Sequence, residues 1–580
     1  MDRNLVLAIL LSVVIIIGFQ FIYQAVAPPP LPRKPPETQE TMKGRPAIPP
    51  PERAAEVKPQ IKPGAPERAV RPVAPAAEAP AVAEAQVKID SPLYEAVVSS
   101  KGGRIISFKL KDYTVEVGGS ELVNLFDPSG PDTAGPSIIF TRRDETFNDM
   151  ALAYKYVTGE TNIRLSEKGR KQTVSLEATR PDGLTITKTY TFQPDSYDVG
   201  LNIKLMNNSD EDRNYLITFP WRKIYHGEGQ DRFSWNSAEI LLNGSLKDYY
   251  FKDIKGDEEP SGQIKWAGLG DVYFFKALVF GENPATRVTL FKPAPEGFAE
   301  IWVRYGAIDL PKGKPVETKM IVYLGPKERG ALRAAGHDLS AALFYSNYTI
   351  LEVMAEYLLK FLRLCNKGFE VFGLRIPGTH NYGIDIIFLT IIIKILFIPL
   401  THKSMKSMKR MQDLQPQLAK LREKFKDDKA AMNKATMDLF KEQKVNPLGG
   451  CWPMFLQLPV FVALYQALSY AIELRHAPFV CLPSIFFCIN DLSAADQSWG
   501  HIMGSPWGPT PILMGVSMAL QQWMTPSGGD PTQRKMMMVM PVVLTYVFLS
   551  MPSGLVLYWL ISNVLSIGQQ VMTNRMAKGS

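Results

Sequence analysis

Histidine and cysteine are scarce in this chain, with six and four respectively among 580 residues. Between 87 and 327 the sequence holds one histidine, His226, and no cysteine, which excludes histidine- or thiolate-rich metal chemistry there. No G-x-x-x-x-G-K-[ST] loop occurs anywhere, so this kind of nucleotide-phosphate cradle is absent. No cysteine pair has metal-site spacing with histidine, and the sequence implies no cofactor. Positive charge is also locally missing: 473–508 holds Arg475 as its only Lys or Arg.

What is present divides into two regimes. The chain is 46% hydrophobic with a net charge of +8, and its mean hydropathy is −0.06. Long apolar runs must therefore be averaging against polar stretches. Residues 5–23 are apolar apart from Ser12, Gly18 and Gln20 and are long enough to span a bilayer. Ala25-Val26-Ala27 fits a cleavage site, but Pro28 follows it and disfavours cleavage, so 1–27 reads as a transmembrane anchor. Residues 28–86 are rich in Pro and Ala and carry no apolar periodicity, which predicts a disordered linker. From 87 to 327, period-two runs such as LTITKTYTF and YDVGLNIKL alternate with turns, which predicts one large all-β sandwich.

The most informative residue is Lys394, midway along the apolar stretch 386–400 and nine positions from both Asp385 and Lys403. At 1.5 Å per residue it lies about 13 Å from either flank. A mid-bilayer charge costs about 2.5–3.5 kcal/mol on insertion scales, so it should face a wet or polar interior. Ahead of it, 340–373 places charges at three- and four-residue steps opposite Leu351, Met354, Leu358, Phe361, Leu362 and Cys365, the pattern of an amphipathic helix lying in the interface. Apolar segments follow at 451–470, 511–524, 536–549 and 555–572. With the anchor and the Lys394 helix they make six spans, five of them forming a core at 383–574, and several are short enough to thin the bilayer.

Twelve Lys and Arg residues fall in 403–445, which puts that loop inside by the positive-inside rule and places the β domain and 473–508 outside. Both termini are then cytoplasmic. The basic loop carries an apolar stripe, a turn at Asp427-Asp428 and a second stripe, which predicts a helical hairpin. Its basic face suits anionic lipid, ribosomal RNA or a nascent chain. Cys481 and Cys488 lie in the outside loop CLPSIFFC, where oxidation is allowed, and are candidates for a disulfide. Met454, Leu456, Val460, Met537, Met538 and Met540 read as a greasy, adaptable face along which another helix can slide. A transporter or channel using Lys394 as an anion site is the competing reading, but repeated halves with paired broken helices are not seen. A membrane-anchored carbohydrate enzyme is the other, disfavoured by the scarcity of histidine.

The run KVNPLGGCWPMFLQLPVFVALYQAL, the later ELRHAPF and SGLVLYWLISN, and SSKGGRIISFKLKDY near the start of the β domain resemble the YidC-type membrane protein insertases, bacterial relatives of the mitochondrial and chloroplast insertases. The resemblance covers essentially the whole chain. It implies a non-enzymatic insertase and chaperone of the bacterial inner membrane, with a periplasmic β domain and a hydrophilic groove open to cytoplasm and lipid. Nascent membrane proteins would be its substrates, and it would work alone or with the Sec translocon, as a monomer. The groove cation of that family matches Lys394, where members usually carry arginine; lysine keeps the charge but loses the bidentate fork. By the same matching Gln522, Tyr558 and Trp559 should line the groove, with Thr390 one helical turn before Lys394.

Overall fold

The computed structural model describes residues 84–579 except 127–133, 158–159, 167–169, 226–235, 282, 294–296, 344–348, 372–373, 426–427, 444, 446–451, 483–486, 503–504 and 525–530. The anchor, the linker up to 83, His226 and Cys451 lie outside the described residues.

The strand Leu184–Phe192 shows how the β domain forms. Its β-branched and aromatic residues suit a pleated surface, and every second side chain is buried. Gly183, at φ +87°, makes the turn that leads in, and the Asp182 carboxylate accepts from Leu184 N at 3.2 Å. Antiparallel partners, Gln172–Thr179 and Asp198–Asn207, flank the strand. It belongs to a sheet of 14 strands; a second, five-stranded sheet is built from Gln86–Asp90, Tyr94–Ser99, Arg104–Thr114, Leu122–Asn124 and Asn162–Arg164. Aromatic residues knit the core, as where Tyr94 stacks on Phe108 with centroids 4.4 Å apart.

One inward position of Leu184–Phe192 is a lysine. Lys188 is fully buried, its Nζ 2.6 Å from Asp149 Oδ2, with Asp149 equally buried. The ammonium also donates to the carbonyls of Gly102 at 2.9 Å and Pro136 at 3.3 Å. Asp149 accepts from Ile138 N at 2.8 Å and Tyr154 OH at 3.0 Å. A closed network of this kind offsets the large desolvation cost of two buried charges.

The chain leaves the last strand, Pro315–Pro326, through a short helix α1 (Arg329–Ala335) and enters α2 (Thr349–Lys367), whose Ala355, Leu359 and Leu362 are buried. Helix α3 (Tyr382–Asp413) is capped by the Asn381 side chain, which accepts from Ile384 N at 3.2 Å. It runs unbroken past Lys403 into the basic loop, so the first arm of the predicted hairpin is a continuation of the span. The break comes at Leu414, and Pro416 falls in the first turn of α4 (Gln415–Lys424), where its missing N–H has no intrahelical partner to lose. Helix α5 (Lys429–Glu442) is capped by Asp428, and α6 (Trp452–Tyr470), α7 (Pro509–Met524), α8 (Pro531–Phe548) and α9 (Ser553–Gly579) follow.

Among the described residues two helices, Tyr382–Asp413 and Ser553–Thr573, are long and apolar enough to cross a membrane, and Met538–Phe548 is a shorter apolar helix. Their outer surfaces are greasy. Leu396 is 72% exposed on α3, Trp523 79% on α7 and Val542 70% on α8, an arrangement suited to lipid contact. Inside, Ile386, Leu389 and Ile393 of α3 pack with Ala463, Leu464 and Ala467 of α6 and with Leu555 and Val556 of α9. Helices α7 and α8 approach closely at Gly515, where any side chain would collide with Thr545.

The ELRHAPF segment sits where the β domain meets these helices. Arg475 donates to the Val115 carbonyl at 3.2 Å and lies over the rings of Tyr273 and Phe274 at 5.8 and 5.4 Å. Its neighbour His476 is 3.4 Å from Thr114 Oγ1. Glu473 pairs with Arg363 of α2 at 2.6 Å. Beyond it, Cys481 and Cys488 are joined by a disulfide across the two-stranded pairing Cys481–Leu482 with Phe487–Cys488.

Candidate functional site

Polar residues from several apolar helices converge on α9. Tyr558, Ser562 and Ser566 follow one another at four-residue steps and so lie along one face. The first two meet α6 and the third meets α3. Gln457 of α6 donates to Tyr558 OH at 3.3 Å and Ser562 Oγ at 3.4 Å, and Lys394 of α3 donates to Ser566 Oγ at 2.7 Å. Further along, Gln569 donates to Thr401 Oγ1 of α3 at 2.8 Å and Gln570 to the Met524 carbonyl at 2.6 Å. Asn563 donates to Ser517 of α7 at 3.0 Å. The result is a polar seam about 16 Å long from Tyr558 to Gln569, closed laterally by helices whose outer faces are apolar.

Local helical structure sets these side chains. Ser566 Oγ donates to the Ser562 carbonyl at 2.9 Å, one turn back, so its oxygen is left to accept from Lys394. Among the described residues no carboxylate pairs with Lys394. Asp385, in the first turn of α3, is fully buried, and Thr379 Oγ1 donates to it at 2.6 Å and Asn366 Nδ2 at 3.1 Å. A carboxylate at a helix N-terminus is also favoured by the dipole.

The residues singled out from the sequence fall in different places. Lys394 and Tyr558 both join the seam. Thr390 is fully buried and spends its hydroxyl on the Ile386 carbonyl of its own helix at 2.6 Å. Trp559 turns toward Phe461 and Phe548, with centroids 4.9 and 5.2 Å away. Gln522 is partly exposed, and no described hydrogen bond carries it into the seam. Of the sliding face, Val460 is partly buried against the helical core, Met538 is 65% exposed and Met540 is partly exposed. The side chains of Met454, Leu456 and Met537 lie outside the described residues. Ser566, Thr401, Gln569 and Gln570 were not singled out, although the four-residue spacing from Tyr558 through Ser562 to Ser566 was a readable signal.

A β domain set on a bundle with lipid-facing apolar surfaces and an internal polar seam defines an integral membrane protein with a large extramembrane domain. Comparison with known proteins names it further. Residues 86–361 match the YidC periplasmic domain family and 375–580 the family described as 60Kd inner membrane protein. Over 99% of both chains the sequence is 36% identical to the membrane protein insertase YidC of Pelobacter propionicus, and 34% identical to that of Geotalea daltonii, again over 99% of both. A solved structure of an active YidC insertase with its first transmembrane domain resolved is similar at 18% identity, covering 85% of this chain and 93% of that one, with a TM-score of 0.35. The chain belongs to the YidC family of membrane protein insertases.

Proposed function

We propose that this chain inserts nascent membrane proteins through the seam centred on Lys394, using it as a hydrophilic groove. The observation that carries the reading is a lysine inside an apolar bundle whose described partner is a neutral hydroxyl. A partly enclosed cation without a carboxylate keeps attraction in reserve for an incoming anion. A substrate's short acidic tail enters the groove, is held transiently by Lys394, and crosses at a lower cost than through dry lipid. Its apolar segment then partitions outward along an adaptable apolar face to which Val460 and Met540 belong. Burial of roughly 20 apolar residues in lipid is favourable by several kcal/mol, so no nucleotide hydrolysis is needed.

In this reading six helices span the inner membrane, five of them as the insertase core, with both termini and the basic loop 403–445 cytoplasmic. That loop meets anionic lipid or the ribosome through its lysines. The protein acts as a monomer, alone or beside the Sec translocon. Gln522 lines the groove edge, with Thr390 and Trp559 supporting its walls. The names of the relatives and the match to the 60Kd inner membrane protein family support insertase function and an inner-membrane location.

The test is insertion of a small single-span substrate into liposomes carrying the protein, comparing wild type with Lys394→Ala and Lys394→Glu. Loss of insertion with retained folding supports the groove. Undiminished insertion by both variants removes Lys394 from the mechanism, and no insertion by wild type removes the autonomous activity.

A further inference from the structure

The Lys394 side chain is long and flexible, yet it is held at one point. Helices α3 and α9 begin at the same end of the bundle: the Asn381 side chain donates to the Phe479 carbonyl at 2.9 Å, and Ser553 N donates to the Ala494 carbonyl at 2.7 Å. Lys394 lies 12 residues past Tyr382 and Ser566 lies 13 past Ser553. At 1.5 Å per residue the two stand at nearly the same depth, about 18–20 Å from that end. The far flank of the apolar stretch, Lys403, is nine residues on, so a freed lysine stem has a polar boundary to snorkel toward.

Ser566 is suited to preventing this. Its proton is committed to the Ser562 carbonyl at 2.9 Å, which fixes Oγ as an acceptor toward the ammonium 2.7 Å away. An ammonium has three donors; one is engaged here, and no described hydrogen bond takes the other two. Arginine presents a rigid fork, whereas lysine gets its direction from whatever holds it.

We propose that Ser566 is a positioning residue that holds the Lys394 ammonium on the α9 face with two donors presented to the groove, and that selectivity for acidic substrate tails depends on it. The inference rests on the insertase reading above and adds the residue that sets the selectivity of the site. Without the hydroxyl the charge remains in the protein but leaves its station.

The experiment uses the full chain in liposomes and two single-span substrates that differ only in the tail, one with Asp and one with Asn at the same positions. The readout is the ratio of acidic-tail to neutral-tail insertion, which a merely structural role would not move. Ser566→Ala and Ser566→Val should lower the ratio by up to about tenfold, the size of a lost hydrogen bond to a charged group. Ser566→Thr, equal to the valine variant in shape but carrying a hydroxyl, should stay within about twofold of wild type on the same scale. Neutral-tail insertion in each variant is the denominator of the ratio, and the thermal unfolding of each reconstituted variant serves as the folding control. A wild-type ratio in both Ser566→Val and Ser566→Ala overturns the proposal, as does a ratio in Ser566→Thr as low as in Ser566→Val. If Lys394→Ala also keeps the wild-type ratio, the groove-cation reading falls with it. A reduced ratio in Lys394→Ala beside a wild-type ratio in the Ser566 variants removes only the positioning role.

Discussion

Two lysines, one in each half of the molecule, show opposite ways of carrying a charge inside a protein. In the β domain Lys188 is fully enclosed and meets a carboxylate and two carbonyls. Among the membrane helices Lys394 is partly accessible and meets one hydroxyl. The first site is neutralised within the fold and has nothing left to offer a ligand. The second leaves its charge uncompensated, which costs stability and keeps it available. Closure marks a structural ion pair, and incompleteness marks a candidate site.

The sharpest way to break this contrast is to truncate both residues. Lys188→Ala strands Asp149 in the core and should cost about 3–5 kcal/mol of β-domain stability in denaturant unfolding. Lys394→Ala removes a charge that has no described ionic partner and should leave unfolding within about 1 kcal/mol of wild type. Its effect should appear in liposome insertion instead, as a loss of about tenfold for an acidic-tail substrate. Equal stability losses for the two variants would erase the distinction.

A further buried charge sharpens the comparison through pH. Glu239 is 3% exposed and paired with Lys327, and burial pushes its carboxyl up to about 7 from an ordinary 4.5, against the pull of that lysine. The folded state therefore holds more protons than the unfolded state between about 4.5 and 7. Stability contributed by this group is complete below that window and is lost as pH rises through it, by at most about 1.4 kcal/mol per pH unit. Unfolding of Glu239→Gln across this range should lack that part of the slope; identical slopes would show that the pair titrates outside the window.

The smallest effect belongs to the junction between the halves. Arg475→Ala removes one hydrogen bond and two ring contacts at a partly exposed position, a loss of about 1–2 kcal/mol. Faster hydrogen exchange at 113–116 and 272–275, without a change in global unfolding, is the expected result. Unaltered exchange would mean that the β domain is held on the helices by other contacts.

Part of this organisation was legible in the chain. Alternation in LTITKTYTF gives the strand and even the inward face, and Lys394 stands out because fourteen apolar or hydroxyl neighbours surround it in 386–400. Spacing also had limits. Tyr558 and Trp559 are adjacent, so about 100° of helix rotation separates them and one seam cannot take both equally. The fold sends Tyr558 to Gln457 and Trp559 to the aromatic cluster of Phe461 and Phe548. Thr390 shares a face with Lys394 by spacing, yet its hydroxyl is taken by its own helix. Local geometry can satisfy a threonine without tertiary help, and the sequence does not reveal when it does.

By itself the sequence determined the division into a strand-rich domain and apolar helices, the uneven placement of positive charge, and the existence of a costly lysine in an apolar stretch. These follow from periodicity and transfer free energy, which are properties of short segments. Only the tertiary structure decided that Lys188 is closed off by Asp149, a residue 39 positions away, and that Lys394 meets Ser566, 172 positions away. Hydrogen-bond partners are chosen by how helices and strands pack, and no local pattern specifies which polar group arrives from the far end of the chain.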